Sequence, residues 1–173
     1  MNTRRLSLNA LLAAMCAVLG AVSLDFGNLK ITFESLPVLI GALLFGPLDG
    51  LAIGGIGTLI YQLLRYGVTV TTPLWIAPYM LCGLLVGWYA RKKGFELSGK
   101  QISFAVFTSE LMVLLLNTGS LYVDSRVYGY YSSVFIFGSL VPRLIICLVK
   151  SAAFSAALPA LLRAARQALK GRQ

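Results

Sequence analysis

The sequence predicts an all-α fold, a polytopic membrane protein built as a bundle of about six transmembrane helices. Of its 173 residues, 58% are apolar and 12% are charged, whereas a soluble domain carries about 25% charged residues. A surface so poor in charge suits lipid rather than water. Since crossing the hydrocarbon takes about 20 residues, the chain has room for about six spans. We predict one transmembrane domain, residues 1–173, with no soluble catalytic domain.

The spans are placed by the apolar runs and the polar gaps between them. In chain order, they cover residues 6–24, 35–45, 51–64, 73–90, 102–119 and 134–162. The second and third are short and form a hairpin across the turn at residues 45–50, FGPLDG, where proline fixes φ and glycine permits a sharp reversal. Residues 25–31 are predicted to be extended, and residues 65–72 and 120–133 form further loops on the same side.

The basic residues predict the orientation of the bundle. One side carries ten of the 15 lysines and arginines: Arg4, Arg5, Arg91, Lys92, Lys93, Lys100, Arg163, Arg166, Lys170 and Arg172. The loops on the other side carry Lys30, Arg65 and Arg126. Because cytoplasmic loops hold an excess of Lys and Arg, we predict that both termini are cytoplasmic and that the protein lies in the cell membrane. The net charge of +9 then anchors the bundle, and we predict no nucleic-acid partner.

No pattern typical of an enzyme or a metal site accompanies these spans. The chain has no histidine, and Cys16, Cys82 and Cys147 lie in three separate apolar runs. Their spacing matches neither a zinc site nor a disulfide framework. The sequence also has no paired carboxylates and no nucleotide-binding loop. We therefore predict no enzyme, no metal and no other cofactor, so an active transporter would need an ATPase from elsewhere or an ion relay.

Three ionisable residues lie within predicted spans, where a charge costs about 2.5 to 3.5 kcal/mol on insertion scales. They are Glu110 in the fifth span and Arg143 and Lys150 in the sixth. Because these two spans are antiparallel neighbours, Glu110 lies at the depth of Lys150, which predicts a buried ion pair. Arg143 lies nearer the outer side, where its guanidinium suits an anionic group of a ligand. A salt bridge from Arg143 to Glu34 or Asp124 is the alternative.

Aromatic and polar side chains gather at the predicted outer ends of the spans. Trp75 and Tyr79 lie one turn apart on the fourth span, and aromatic faces beside a few polar groups are what a planar heterocycle needs. Interfacial tyrosines also anchor membrane proteins, which is our interpretation of the tyrosines within residues 128–131. The ligand-binding residues that we predict are Arg143, Trp75, Tyr79, Gln62, Asn117, Phe33, Glu34 and Tyr122.

Small residues recur about every fourth position on three predicted spans, a spacing that lets membrane helices approach closely. Two of these faces consist of glycine, and we predict that they pack within the chain: Gly50, Gly54, Gly57, Gly83 and Gly87. The first span carries an alanine stripe: Ala10, Ala13, Ala14, Ala17 and Ala21. This alanine stripe is predicted either to pack within the chain or to dock a partner subunit.

The chain as a whole resembles the S component, the substrate-binding membrane subunit, of energy-coupling factor (ECF) vitamin transporters. The resemblance rests on the size, the six spans, Ala13, Ala17 and Ala21 of the alanine stripe, and residues 30–37, KITFESLP, leading into residues 43–50, LLFGPLDG. The Gly-Pro-x-x-Gly turn is the most specific of these elements. The basic gap after the fourth span and the pair Pro142-Arg143 with Lys150 beyond it resemble the folate branch of the family.

This resemblance implies a small vitamin held at the outer face, under the loops after the first, third and fifth spans. It also implies that the alanine stripe docks a shared transmembrane subunit driven by two ATPase subunits, and that the S component topples in the membrane to release its vitamin. Folate is the first predicted ligand, and a queuosine precursor, pantothenate or another B vitamin is the alternative. A stand-alone secondary carrier and a membrane scaffold without a ligand are the competing classes.

Overall fold

The computed structural model of the protein describes residues 3–26 and 29–170, which form seven helices and one small β hairpin. The elements are α1 (Thr3–Ala21), β1 (Leu24–Phe26), β2 (Leu29–Ile31), α2 (Ser35–Phe45), α3 (Pro47–Tyr66), α4 (Thr72–Lys92), α5 (Gly99–Val127), α6 (Ser133–Phe137) and α7 (Leu140–Lys170). Among the described residues, five helices are long and apolar enough to cross a membrane, namely α1, α3, α4, α5 and α7, and α2 is a shorter apolar helix. The predicted helical membrane bundle is confirmed.

The two ends of the bundle differ in composition. The hairpin end holds β1 and β2, the α3–α4 loop at residues 67–71 and the α5–α6 loop at residues 128–132. The basic end holds the start of α1, the α2–α3 turn, the α4–α5 loop at residues 93–98 and the end of α7. Arg172, part of the predicted basic tail, lies outside the described residues. The cytoplasmic location of the basic end stays a prediction from its lysines and arginines.

The turn between α2 and α3 is shorter than predicted. α3 begins at Pro47 rather than at residue 51, which leaves Gly46 as the link between the two helices. Gly46 has a φ of 106°, which glycine adopts without strain, and proline suits the first helical turn because its missing N–H is not needed there. α3 is therefore 20 residues long, and the expected shortness holds for α2, with 11 residues, but not for α3.

α5 is longer than predicted. It ends at Val127 rather than at Gly119, so the predicted loop over residues 120–133 shrinks to five residues. The extra turns are stabilised by their own polar side chains. Ser120 Oγ donates a hydrogen bond of 2.7 Å to the carbonyl oxygen of Leu74 in α4, so a residue that reads as loop in the sequence lies at a helix–helix contact.

The predicted sixth span is two helices. Residues 138–139 form a turn between α6 and α7, where Gly138 has a low helix propensity. Of the stretch predicted to be extended, residues 25–31, the described residues 25–26 and 29–31 are confirmed as extended and belong to the antiparallel hairpin of β1 and β2. Residues 27–28, which belong to that predicted stretch, lie outside the described residues.

Direct backbone contact holds α3 against α4. A Cβ atom on Gly50 would lie 2.6 Å from the carbonyl oxygen of Gly83, and one on Gly87 would lie 2.5 Å from Pro47. These separations leave no room for any side chain. Since lipid supplies no hydrophobic drive between helices, such close packing is what holds them together. The prediction that the glycine faces pack within the chain is confirmed, and the two faces contact each other.

The alanine stripe of α1 divides between the interior and the surface. Ala13 and Ala17 are 5% and 7% exposed, and Gly57 of α3 lies against the carbonyl oxygen of Ala13. The docking role predicted for Ala13 and Ala17 is therefore corrected, because contact within the chain already buries both side chains. The exposed alanines of the stripe are Ala10, Ala14 and Ala21.

A buried carboxylate ties α1 to the α2–α3 turn at the basic end. Asp49 is 6% exposed, and its Oδ2 forms an ion pair with Arg5 Nη2. Its Oδ1 accepts hydrogen bonds from Arg5 Nε at 3.1 Å and from Asn9 Nδ2. Arg5 Nη2 also donates to the carbonyl oxygen of Phe45 at 2.6 Å. Both oxygens of this carboxylate are thus engaged inside the chain, and Arg5, predicted as a topology anchor, also joins two helices.

Candidate functional site

A cavity of about 750 Å³ lies at the hairpin end, between α3 and α4 on one side and α5 and α7 on the other. This volume falls within the range of about 300 to 1,000 Å³ typical of small-molecule pockets. Aromatic, polar and charged side chains share its wall. Six of the eight predicted ligand-binding residues line it: Glu34, Gln62, Trp75, Tyr79, Asn117 and Arg143.

The other two predicted residues, Phe33 and Tyr122, are not among the described residues that line the cavity. Phe33 packs against Phe154 of α7, with ring centroids 6.2 Å apart. Tyr122 packs edge-on against Tyr131 at 5.6 Å, and the guanidinium of Arg126 lies over both rings. Phe33 and Tyr122 are each adjacent in sequence to a residue that lines the cavity. The sequence therefore indicated the right segments, but these two side chains face away from the cavity.

The inner end of the cavity holds the predicted ion pair. Glu110 is 2% exposed, and its Oε2 lies 2.6 Å from Lys150 Nζ. Lys150 Nζ also lies 3.5 Å from both the carbonyl oxygen of Thr32 and Oγ of Ser35. The other carboxylate oxygen of Glu110, Oε1, is buried and has no hydrogen-bond partner among the described residues.

Three polar residues of α5 line the cavity at intervals of seven: Glu110, Asn117 and Asp124. A seven-residue interval returns to nearly the same face of a helix, and at about 1.5 Å per residue the three levels extend over about 21 Å. α7 runs in the opposite direction, so Lys150 lies at the level of Glu110 and Arg143 nearer that of Asn117. The cavity is therefore long, with polar groups at its inner end, its middle and its mouth.

Asp124 joins two loops at the mouth. Its Oδ1 accepts hydrogen bonds from Thr71 Oγ1 at 2.5 Å and from Trp75 Nε1 at 3.4 Å, and its Oδ2 accepts one from the Tyr130 hydroxyl. Thr71 lies in the α3–α4 loop and Tyr130 in the α5–α6 loop. Burial, and next the hydrogen bond to Asp124, raise the pKa of Tyr130, so its hydroxyl keeps its proton and remains a donor at neutral pH. Asp124 thus orients the Trp75 indole while it bridges the loops.

Sequence reasoning missed part of the cavity wall. Asp124 entered only as an alternative partner of Arg143, and several further lining residues were not predicted to contact a ligand, among them Thr32, Tyr61, Arg65 and Thr71. One available signal was the seven-residue interval from Glu110 through Asn117 to Asp124. Thr71 carries no such signal, because its position depends on how the α3–α4 loop folds back.

The family model described as "ECF transporter, substrate-specific component" matches residues 4–165. A crystal structure of FolT bound with folic acid is similar, with a TM-score of 0.65 and 22% sequence identity, and the match covers 91% of this chain and 90% of that chain. At this identity the likeness shows a shared fold. None of the curated proteins matches the chain.

Proposed function

The chain belongs to the family of ECF transporter substrate-specific components, and from this premise we propose that it captures a vitamin-like heterocycle of the folate type. The ligand is held in the cavity at the hairpin end. The protein acts as a single multi-pass domain of the cell membrane, with its basic end and both termini in the cytoplasm. The hairpin end then faces the side from which the vitamin arrives.

The observation that carries the proposed ligand is the combination of groups that line one cavity. Trp75 and Tyr79 offer aromatic faces to a flat ring, and Arg143 offers a guanidinium fork to a carboxylate. Folic acid has both a planar ring system and carboxylates. The shared fold with FolT, whose structure contains folic acid, supports the same ligand. A queuosine precursor, pantothenate and other B vitamins are the alternatives that the experiment separates.

The test is a thermal-shift screen of the purified full chain against folic acid, pantothenate, a queuosine precursor and the other B vitamins. A ligand at 100 times its Kd adds about 2.7 kcal/mol to stability, so we expect a clear rise in the unfolding midpoint with folic acid. Arg143→Met should weaken that effect, and Arg126→Met is the matched control, because Arg126 lies over tyrosine rings at the hairpin end. Stabilisation by pantothenate alone would show that the ligand is pantothenate and not a folate-type compound. No response to any compound would favour a membrane scaffold without a ligand.

The family resemblance also implies partners, a shared transmembrane subunit and two ATPase subunits. We propose that the exposed alanines of α1 contact the transmembrane subunit. Ala10→Trp with Ala14→Trp should abolish uptake in cells while the isolated protein keeps its affinity for folic acid. Leu115→Trp, at a position 61% exposed on α5, is the matched control and should leave uptake intact. Uptake that persists in the α1 variant, or transport by the chain alone in liposomes, would reject this docking surface.

A further inference from the structure

Glu110 carries a charged acceptor atom that the fold leaves unused. The side chain is 2% exposed and lines the inner end of the cavity. Its Oε2 is held by Lys150 at 2.6 Å, whereas Oε1 has no hydrogen-bond partner among the described residues. A buried acceptor without a partner is destabilising, and more so when it is charged. An ion pair that served packing alone would be expected to satisfy both oxygens.

The surroundings of Glu110 point to a ligand as the missing partner. The nearest cation, Lys150, is directed to Oε2 and lies near two groups of the chain, Thr32 and Ser35. Seven residues along the same helix, Asn117 Oδ1 is also buried without a partner, and Asn117 lines the same cavity. The two unused acceptors lie on one helix face and belong to residues that line the cavity, which matches a ligand that presents N–H donors.

We propose that Glu110 Oε1 accepts a hydrogen bond from an exocyclic amino group of the ligand, so that the inner end of the cavity selects heterocycles that carry an amino donor at this edge. This inference rests on the proposed function and specifies it, since it assigns the orientation of the bound molecule. The donor edge of the ring lies against Glu110, one level deeper than Arg143. The anionic part of the ligand extends from the level of Arg143 toward the mouth.

The test compares two ligands that differ at one donor. Folic acid carries a 2-amino group beside a ring N–H, and its 2-deamino-2-methyl analogue carries a methyl group in that place. The affinity of the purified full chain for each compound is measured by calorimetry. We expect the wild-type protein to bind folic acid about ten- to a hundred-fold more tightly, because the analogue lacks the amino N–H donors that face the charged acceptor and keeps only the ring N–H that the two compounds share.

The variants locate the origin of that preference. Glu110→Met combined with Lys150→Met removes the acceptor and the cation together and leaves no charge stranded, and it should bind the two compounds with equal affinity. Arg143→Met is the matched control, since it should weaken both compounds and keep their ratio. The unfolding midpoint of each variant without ligand shows that it is folded.

The outcomes distinguish this inference from the proposed function. Equal affinity of the wild-type protein for the two compounds would overturn the role of Glu110 and leave folate capture in place. A preference for folic acid that survives unchanged in the double variant would also overturn it. Binding of neither compound by the wild-type protein would overturn the folate-type ligand and this inference with it.

Discussion

The two ends of the bundle each hold a buried acid paired with a base, and the pairs differ in what they leave over. At the basic end, Arg5 presents a fork to Asp49, and together with Asn9 it engages both carboxylate oxygens. At the inner end of the cavity, Lys150 presents a single ammonium to Glu110 and engages one oxygen. The first pair is complete within the chain, whereas the second is complete only with a ligand.

This difference follows from the chemistry of the two bases. A guanidinium is planar and its donors match the two oxygens of a carboxylate, while an ammonium acts as a compact point charge. The surroundings of the two acids add to this difference, because Asp49 lies at a tight turn, whereas Glu110 lies at a cavity. Both pairs join helices in this bundle, but only the pair with an unused carboxylate oxygen also lines the candidate binding site.

The largest expected effect is on the free energy of unfolding, through the Glu110–Lys150 pair at the inner end of the cavity. Glu110→Met or Lys150→Met strands a buried charge, and loss of one partner of a buried pair costs about 3 to 5 kcal/mol in strong cases. The double variant should recover most of that loss. Chemical unfolding in mixed micelles measures the three free energies of unfolding. A double variant that is no more stable than the single variants would contradict the pairing.

The second prediction concerns Asp49. Asp49→Asn removes the ion pair with Arg5 but leaves that arginine, which is 43% exposed, in contact with water. We expect a loss of about 1 to 2 kcal/mol of stability, below the full value of a charge-assisted hydrogen bond because solvent screens the remaining cation. Calorimetry should find the affinity for folic acid unchanged. A folded Asp49→Asn variant with weakened folic acid binding would show that the two ends are not independent.

The third prediction concerns a change that gives Glu110 an arginine partner, as Asp49 has at the basic end. In Lys150→Arg, a fork replaces the point charge and can engage both oxygens of Glu110. Stability should be retained, while the affinity for folic acid should fall about tenfold, or about 1.4 kcal/mol, because the acceptor is no longer available. The paired measurements are the unfolding midpoint and the Kd. Undiminished affinity in this variant would contradict the idea that the unused oxygen serves the ligand.

The smallest effect is expected for the converse change. Arg5→Lys keeps the positive charge beside Asp49 but loses the fork, so one carboxylate oxygen depends on Asn9 alone. Because Arg5 is partly exposed, the cost should stay below about 1 kcal/mol. Thermal unfolding detects it as a small fall in the midpoint, with folic acid binding as the control. A loss as large as that of Glu110→Met would mean that the basic-end pair is not screened by solvent.

Most of the fold follows from the sequence, because hydrocarbon demands long apolar runs and backbone contact between helices demands small residues. The errors fall where polar residues continue a helix. Ser120 reads as loop, yet it bonds to Leu74 across a helix contact. A separate difference concerns Ala13 and Ala17, whose spacing fits a docking stripe. Spacing does not say which neighbour covers a helix face, and contact within the chain buries both side chains.

The candidate site was partly within reach of the sequence. Glu110 and Lys150 could be paired, because charges within a span need partners and the antiparallel order of two spans sets their depth. The roles of the two oxygens could not be foreseen, since they depend on side-chain geometry. The bridge from Asp124 to Thr71 and Tyr130 was beyond reach for another reason, because it joins two loops whose paths no periodic pattern determines.

The glycine contacts between α3 and α4 have a consequence for the range of molecules that the cavity can accept. Because Gly50 meets the backbone of Gly83 directly, the backbones of α3 and α4 keep a fixed separation, and only side chains such as Tyr61 and Trp75 can change the shape of their side of the cavity. A larger ligand must therefore be accommodated by the lining side chains or by the opposite side of the cavity, formed by α5 and α7, and not by separation of α3 from α4. Selectivity for molecular size would then evolve through substitutions of lining side chains, while the paired backbones of α3 and α4 act as a fixed reference.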